Sequence, residues 1–241
     1  MKLAGKIAIV TGASRGIGWE IALGFADEGA DLAVCARDEE RLMQLISEIE
    51  QHGRLAIALR ADVSKETDVQ QLVDRTLEAY GRIDVLCNNA GVAHRGRVDE
   101  LDPAKWDEVV AVNLRGPFLC SRAVLPHMKR QNYGRIVDVS SGAAVNCSPG
   151  FAAYNASKAA LNSLSRTLAN EVTGYNILVN AMSPGSLKTD MNPEGSRPPS
   201  DALPTAVYLA SLPDDGANGR FFRFLKELEV IPDLSKFDWR N

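Results

Sequence analysis

From residue 6 to about residue 140, short β-branched or apolar runs alternate with longer stretches whose apolar residues recur at helical spacing. This rhythm constrains the fold most, because strand–helix–strand units of this kind close into a parallel sheet with helices on both faces. Strands are expected at 6–11, 31–36, 55–60, 83–87, 135–140 and 177–182, most of them nearly continuous apolar runs, as in strands covered on both sides. Helices are expected at 17–28, 39–52, 65–80, 103–131 and 152–172, several of them stopping at a glycine such as Gly29, Gly53, Gly81 or Gly174. The alternation then gives way to a Pro- and Gly-rich stretch at 183–201, read as a loop or lid. A further helix near 202–212 and a strand near 219–224 would finish the sheet. The expectation is one α/β domain over 1–241, a doubly wound parallel sheet with a short substrate lid around 186–201 and an atypical C-terminal arm at 225–241.

Composition narrows the partners. A hydrophobic fraction of 45% in 241 residues fills a sizeable core. The net charge of −4 argues against a chain held mainly by nucleic acid phosphates or anionic lipid. No apolar stretch has the length of a signal peptide or a membrane span, so the expected location is cytoplasmic. Cys35, Cys87, Cys120 and Cys147 form no CxxC and are expected to be reduced, buried thiols. His52, His94 and His127 build no local ligand set, and neither a metal nor a histidine-based triad is expected.

Directly after the first strand comes Thr11-Gly12-Ala13-Ser14-Arg15-Gly16-Ile17-Gly18, opening the first helix. Glycines here let the backbone approach a pyrophosphate and aim helix N-terminal N–H groups at it, the arrangement of Rossmann-type dinucleotide sites. The same residues could also make a bare turn, since the spacing is neither GxGxxG nor a Walker loop. The end of the second strand discriminates. Where an NAD site usually carries a carboxylate, 19 residues after Gly18, this chain has Arg37. A guanidinium there can grip a 2′-phosphate, and Arg15 can reach the same group from the loop, so NADP is the expected cofactor.

Tyr154 and Lys158 stand four apart on an expected helix, one turn from each other on one face. An ammonium ~5 Å from a phenol favours the phenolate by roughly 3 kcal/mol at an effective dielectric of 20, enough to lower its pKa by roughly 2. Ser140 and Ser141 end the preceding strand at the carboxyl edge of the sheet, where open α/β folds bind ligands.

Taken together, these residues resemble the short-chain dehydrogenases/reductases over about residues 1 to 190. The likeness rests on TGASRGIG at 11–18, Asp62-Val63, Asn88-Asn89-Ala90-Gly91, Asn113, Ser141, Tyr154-Asn155-Ala156-Ser157-Lys158, and Pro184-Gly185 with Thr189. The resemblance implies that Tyr154 is the general acid toward a carbonyl. It also implies that Lys158 depresses the tyrosine's pKa and binds the nicotinamide ribose, that Ser141 positions the substrate oxygen, with Ser140 as the fallback, and that Asn113 holds a water passing protons to Lys158. By the same resemblance, Gly12, Ser14, Arg15, Gly16, Ile17 and Gly18 form the phosphate loop. Asp62 and Val63 meet the adenine, Asn89, Ala90 and Gly91 line the adenosine side, and Pro184, Gly185, Leu187 and Thr189 surround the nicotinamide.

The ending departs from many members, which finish on Asp-Gly-Gly, and Thr189-Asp190-Met191 with 204–210 and 212–216 is more similar to the family's carbonyl reductases than to its fatty-acid members. The implied function is NADPH-dependent reduction of an aldehyde, ketone or quinone. Reduction of a 3-oxoacyl thioester is the alternative, and a non-catalytic NADP-sensing protein a minor one. Phe118, Val124, Leu161, Leu164 and Leu168 are expected on outward helix faces, which points to a homodimer or homotetramer.

Overall fold

The computed structural model describes residues 1–230. Its strands are β1 (Ile7–Thr11), β2 (Asp31–Ala36), β3 (Ala56–Arg60), β4 (Val85–Asn88), β5 (Gly134–Val139), β6 (Ile177–Ser183), β7 (Phe221–Arg223) and β8 (Lys226–Leu228). Its helices are α1 (Gly16–Asp27), α2 (Glu39–Gln51), α3 (Glu66–Tyr80), α4 (Pro103–Val110), α5 (Gly116–Gln131), α6 (Ala143–Asn146), α7 (Ala152–Glu171) and α8 (Leu203–Ala210). The sheet runs β3-β2-β1-β4-β5-β6-β7-β8, parallel throughout except for β8. Strand order reverses between β1 and β4, which opens a crevice beyond the carboxyl ends of the strands at that point.

The apolar strands are explained by what covers them. On one side, Ala8, Val10, Leu32 and Val34 pack with Phe25 of α1, Leu45 of α2 and Leu209 of α8; on the other, Ile9, Ala33 and Leu86 pack with Leu72 of α3, Val124 of α5 and Leu168 of α7. Neighbouring residues of one strand thus enter different cores, so neither face can be polar.

Several expectations need correction. The helix expected at 103–131 is broken by a π turn, Ala111–Arg115. In a regular helix the N–H of residue 117 would bond the carbonyl of Asn113, but Pro117 has none, and the turn widens so that the Gly116 N–H reaches Ala111. Val124, Leu161 and Leu168 do not face outward; they are buried within this chain, whereas Phe118 is exposed. A helix covering a parallel sheet needs a wide apolar stripe of its own, so those residues carry no argument for a second subunit. Cys147 is exposed rather than buried; it follows the one-turn α6, which has no buried residue of its own.

Part of the expected arm at 225–241 forms β8, antiparallel to β7. The connecting residues Phe224 and Leu225 both have positive φ, 50° and 64°, in the manner of a tight hairpin turn. Residues 231–241 lie outside the described residues.

Candidate active site

A cavity of about 500 Å³ lies at the carboxyl edge of the sheet over the β1/β4 crevice. Its phosphate end is backbone. Gly12 and Gly16 have φ of +66° and +57°, which turns the chain sharply between β1 and α1. A Cβ on Gly12 would lie 2.7 Å from Ala90 Cα, and one on Gly18 2.4 Å from both Asn89 Nδ2 and the Gly12 carbonyl oxygen. The glycines therefore let this loop press on the loop after β4. Asn89 fastens the contact by donating from Nδ2 to the carbonyls of Thr11 (3.0 Å) and Gly12 (3.1 Å), while Thr11 Oγ1 accepts from the N–H groups of Asn89 and Ala90, both at 3.1 Å. No side chain caps the N-terminus of α1, and Gly16, Ile17 and Gly18 line the cavity with Ser14 and Arg15. An uncapped helix N-terminus opening on a cleft suits a pyrophosphate.

Arg15 and Arg37 also line the cavity, and each is held by a carboxylate from across the cleft. Arg15 meets Asp190 at 3.1 Å and Arg37 meets Glu108 at 3.8 Å. Sequence reasoning missed Arg41, which lines the same end one helical turn after Arg37. Asp38 lies here too, but its carboxylate accepts the Arg41 N–H at 3.2 Å as the cap of α2 and pairs with the Arg41 side chain at 3.7 Å. Asp62 and Val63 line the wall beside Arg37 and Arg41. Asp62 has a lowered pKa: burial opposes ionisation, but hydrogen bonds from the Ser64 hydroxyl and N–H and the charges of Arg37 and Lys65 outweigh it.

The opposite end is buried and built from α7 and the ends of β5 and β6. Tyr154 and Lys158 both line the cavity, with Lys158 Nζ 5.7 Å from the centre of the tyrosine ring. Ser141 stands beside the Tyr154 hydroxyl and favours its ionised form, and Ser141 Oγ accepts the Ala143 N–H at 3.1 Å. Ser140 lines the cavity, while its hydroxyl donates to the Lys158 carbonyl at 3.3 Å.

Lys158 is 4% exposed and donates from Nζ to the Val139 carbonyl at 2.7 Å. Burial lowers its pKa to about 8, against the opposing charge of Asp138. Tyr154 departs from the electrostatic expectation: burial raises its pKa, and the hydrogen bond from Ser141 opposes that rise. The charge argument had counted the ammonium but not the loss of solvent around the phenol.

Asn113, fully buried in the π turn, does not offer its side chain to a water. Its Oδ1 accepts the Val92 N–H at 2.8 Å, and its Nδ2 donates to the Val92 carbonyl (2.9 Å) and Ser157 Oγ (3.1 Å). What Pro117 leaves without its usual helical donor is the Asn113 carbonyl. Asn89, Ala90, Gly91, Pro184 and Thr189 line the cavity. A Cβ on Gly91 would lie 3.7 Å from Lys158 Nζ, so the missing side chain keeps room beside the ammonium.

Four of the expected site residues, Asn113, Ser141, Gly185 and Leu187, are not part of the cavity lining. Leu187 is 2% exposed and packs in the core with α1 and α8, while its neighbour Lys188 lines the cavity. Gly185 turns with φ +91° beneath the ring of Phe224, whose Cζ would stand 2.6 Å from an added Cβ.

The profile of the short chain dehydrogenase family matches residues 6–199. An uncharacterized oxidoreductase of Thermotoga maritima is 40% identical over 190 residues, 79% of this chain and 75% of that protein. The 3-oxoacyl acyl-carrier-protein reductase FabG of the same organism is 38% identical over 231 residues, 96% and 90% of the two chains. Among solved structures, a metagenomic short-chain oxidoreductase in complex with NADP superposes with a TM-score of 0.83 at 35% identity, covering 92% of this chain and 98% of that one. An NAD+-bound xylitol dehydrogenase gives a TM-score of 0.86 at 29% identity with the same coverage. Family profile, fold and relatives agree that this chain belongs to the short-chain dehydrogenases, oxidoreductases that act on CH–OH and C=O groups.

Proposed function

We propose that the protein reduces a small aldehyde, ketone or quinone to the alcohol with NADPH, and that Tyr154 is the proton donor. The observation that carries this reading is the placement of Tyr154 and Lys158 together in the wall of one cavity, with Lys158 Nζ 5.7 Å from the centre of the tyrosine ring and Ser141 beside the phenol. Bound there, the nicotinamide supplies a hydride to the carbonyl carbon. Tyr154 gives its proton to the carbonyl oxygen while Ser141 holds that oxygen by a hydrogen bond. A phenol kept protonated by burial suits an acid, and the Ser141 hydroxyl favours the phenolate once the proton has left. Lys158 binds the ribose and favours the same phenolate, and the Asn113 carbonyl orders a water that returns protons to Lys158.

Arg37 and Arg15 favour NADPH over NADH by binding a 2′-phosphate, with Arg41 beside them. Asp38 does not argue for NADH, because its carboxylate is engaged by Arg41. The lid at 186–201 is tied to itself: the Lys188 N–H donates to the Arg197 carbonyl at 2.7 Å, and the Asn192 N–H to the Thr189 carbonyl at 3.0 Å. A short lid with so many internal bonds has little chain to fold over an extended substrate, which favours small carbonyls. We assign the enzyme to the cytoplasm, where NADP is kept reduced, and to a homodimer or homotetramer. A light-scattering mass of one 26.1 kDa chain at micromolar concentration would refute the assembly.

A second reading, reduction of 3-oxoacyl thioesters, is supported by the name of the Thermotoga maritima reductase that covers 96% of this chain. NADPH oxidation measured over quinones, aldehydes, ketoesters and 3-oxoacyl thioesters separates the two. The first reading expects the highest kcat/KM on a small carbonyl; a thioester at the top selects the second, and no turnover of any of these favours the NADP-sensing alternative.

A further inference from the structure

Beneath the reactive end lies a carboxylate that the proposed mechanism does not use. Asp138 is 2% exposed, near the end of β5, and faces the layer between the sheet and helices α5 and α7. Its register partner on β4, Asn88, donates from Nδ2 to Asp138 Oδ1 at 2.8 Å and leaves its own Oδ1 with no partner among the described residues. The amide is thus oriented by the carboxylate. From α7, Ser165 Oγ lies 2.5 Å from Asp138 Oδ2. Ser165 is seven residues after Lys158, on the same helix face, so α7 holds consecutive residues of β5 at two points: Lys158 the carbonyl of Val139, Ser165 the carboxyl of Asp138.

The titratable groups that feel Asp138 are Cys87 on β4, Cys120 on α5 and Lys158 on α7, while β6 presents Ala181 at its register. Burial raises the pKa of both thiols, which keeps them neutral, so Lys158 is the only cation in the set.

We propose that Asp138, held by Asn88 and Ser165 one residue from the carbonyl that Lys158 binds, is the buried countercharge of Lys158 without touching it, a positioning residue that favours the ammonium. Its catalytic consequence rests on the role given to Lys158 above. The serine lets the pair titrate without rearrangement. Ser165 Oγ is also 2.9 Å from the Leu161 carbonyl, and a hydroxyl has one proton. With Asp138 ionised, Ser165 donates to the carboxylate; with Asp138 protonated, the carboxyl donates to Ser165, which turns to Leu161. Burial raises the pKa of Asp138, opposed by the hydrogen bonds from Ser165 and Asn88 and by the charge of Lys158, and it lowers that of Lys158 to about 8, opposed by the charge of Asp138, so each group favours the ionised form of the other.

Asp138→Asn tests this with little change of shape, because the new amide can accept from Asn88 and donate to Ser165. The whole protein, labelled at lysine ¹³Cε, is titrated by NMR, and the resonance missing from Lys158→Met identifies Lys158. The expected result is a Lys158 midpoint lower by about one pH unit or more in folded Asp138→Asn. An unchanged midpoint overturns the proposal.

Should Asp138→Asn fail to fold, reciprocity supplies the measurement. The Asp138 carboxyl ¹³C midpoint is expected to be higher in Lys158→Met than in the wild type, and equal midpoints overturn the pairing. The pH profile of NADPH-dependent kcat/KM tests the catalytic reading separately. Its alkaline limb is expected to move down with the lysine. A lysine that shifts while the limb stays supports the ion pair and rejects the role given to Lys158 in turnover.

Discussion

The two ends of the cavity are built by opposite means. At the phosphate end, bare backbone gives the shape and exposed side chains give the charge: Arg15 and Arg37 are each 61% exposed, and both pair with exposed carboxylates. At the reactive end, shape and charge come from the same buried groups, Lys158, Asn113, Asp138 and Ser165, each hydrogen-bonded to at least one other element. Charge on the surface can be exchanged at small cost in stability, whereas a buried polar group left unpaired is costly. The charge at the arginine end is therefore the adjustable feature of this cavity, and the buried polar network the rigid one.

Substitutions at the two ends sharpen that contrast. The largest effect is expected from Tyr154→Phe, which removes the acidic hydroxyl and keeps the ring; turnover should fall ~10²-fold or more with NADPH affinity nearly unchanged. Near-normal turnover in folded protein would show that another group donates the proton. Arg37→Asp should lower the kcat/KM preference for NADPH over NADH by about ten- to a hundredfold without lowering Tm appreciably, since one charge-assisted contact is worth roughly 1.5–3 kcal/mol. A large fall in Tm here would break the contrast, because the charge would then be structural.

Gly18→Ala tests the backbone part of the same end. Its new Cβ meets Asn89 Nδ2 and the Gly12 carbonyl at 2.4 Å, so denaturant titration should show a loss of about 1–3 kcal/mol, together with weaker cofactor binding. The smallest effect belongs to Asp190→Ala. Losing an exposed partner of Arg15 should change stability by less than ~1 kcal/mol, and a freed Arg15 should bind NADPH slightly more tightly by fluorescence titration. Weaker NADPH binding would instead mean that Asp190 contributes to the site.

Most of the sheet was legible because its strands are uniformly apolar, and the glycine loop because its spacing follows a strand and opens a helix. What escaped depends on partners distant in the chain. The π turn could have been read from Pro117, but only by asking which carbonyl lost its donor. Leu187 and Lys188 are neighbours in an irregular loop, where no periodicity tells which side chain turns inward to the core. The carboxylates that hold Arg15 and Arg37 come from the lid and from α4. The upward pKa of Tyr154 reflects burial that spacing along one helix cannot reveal.

β8 bears on how copies of this chain can meet. Among the described residues it is the last strand on its side of the sheet, three residues long, exposed throughout, and directed against the other seven. Lys226 and Glu227 occupy two of its three positions. A strand so short and so charged is a poor template for another chain. Growth by strand addition, which could continue copy after copy into a fibre, is thereby disfavoured at this side of the sheet.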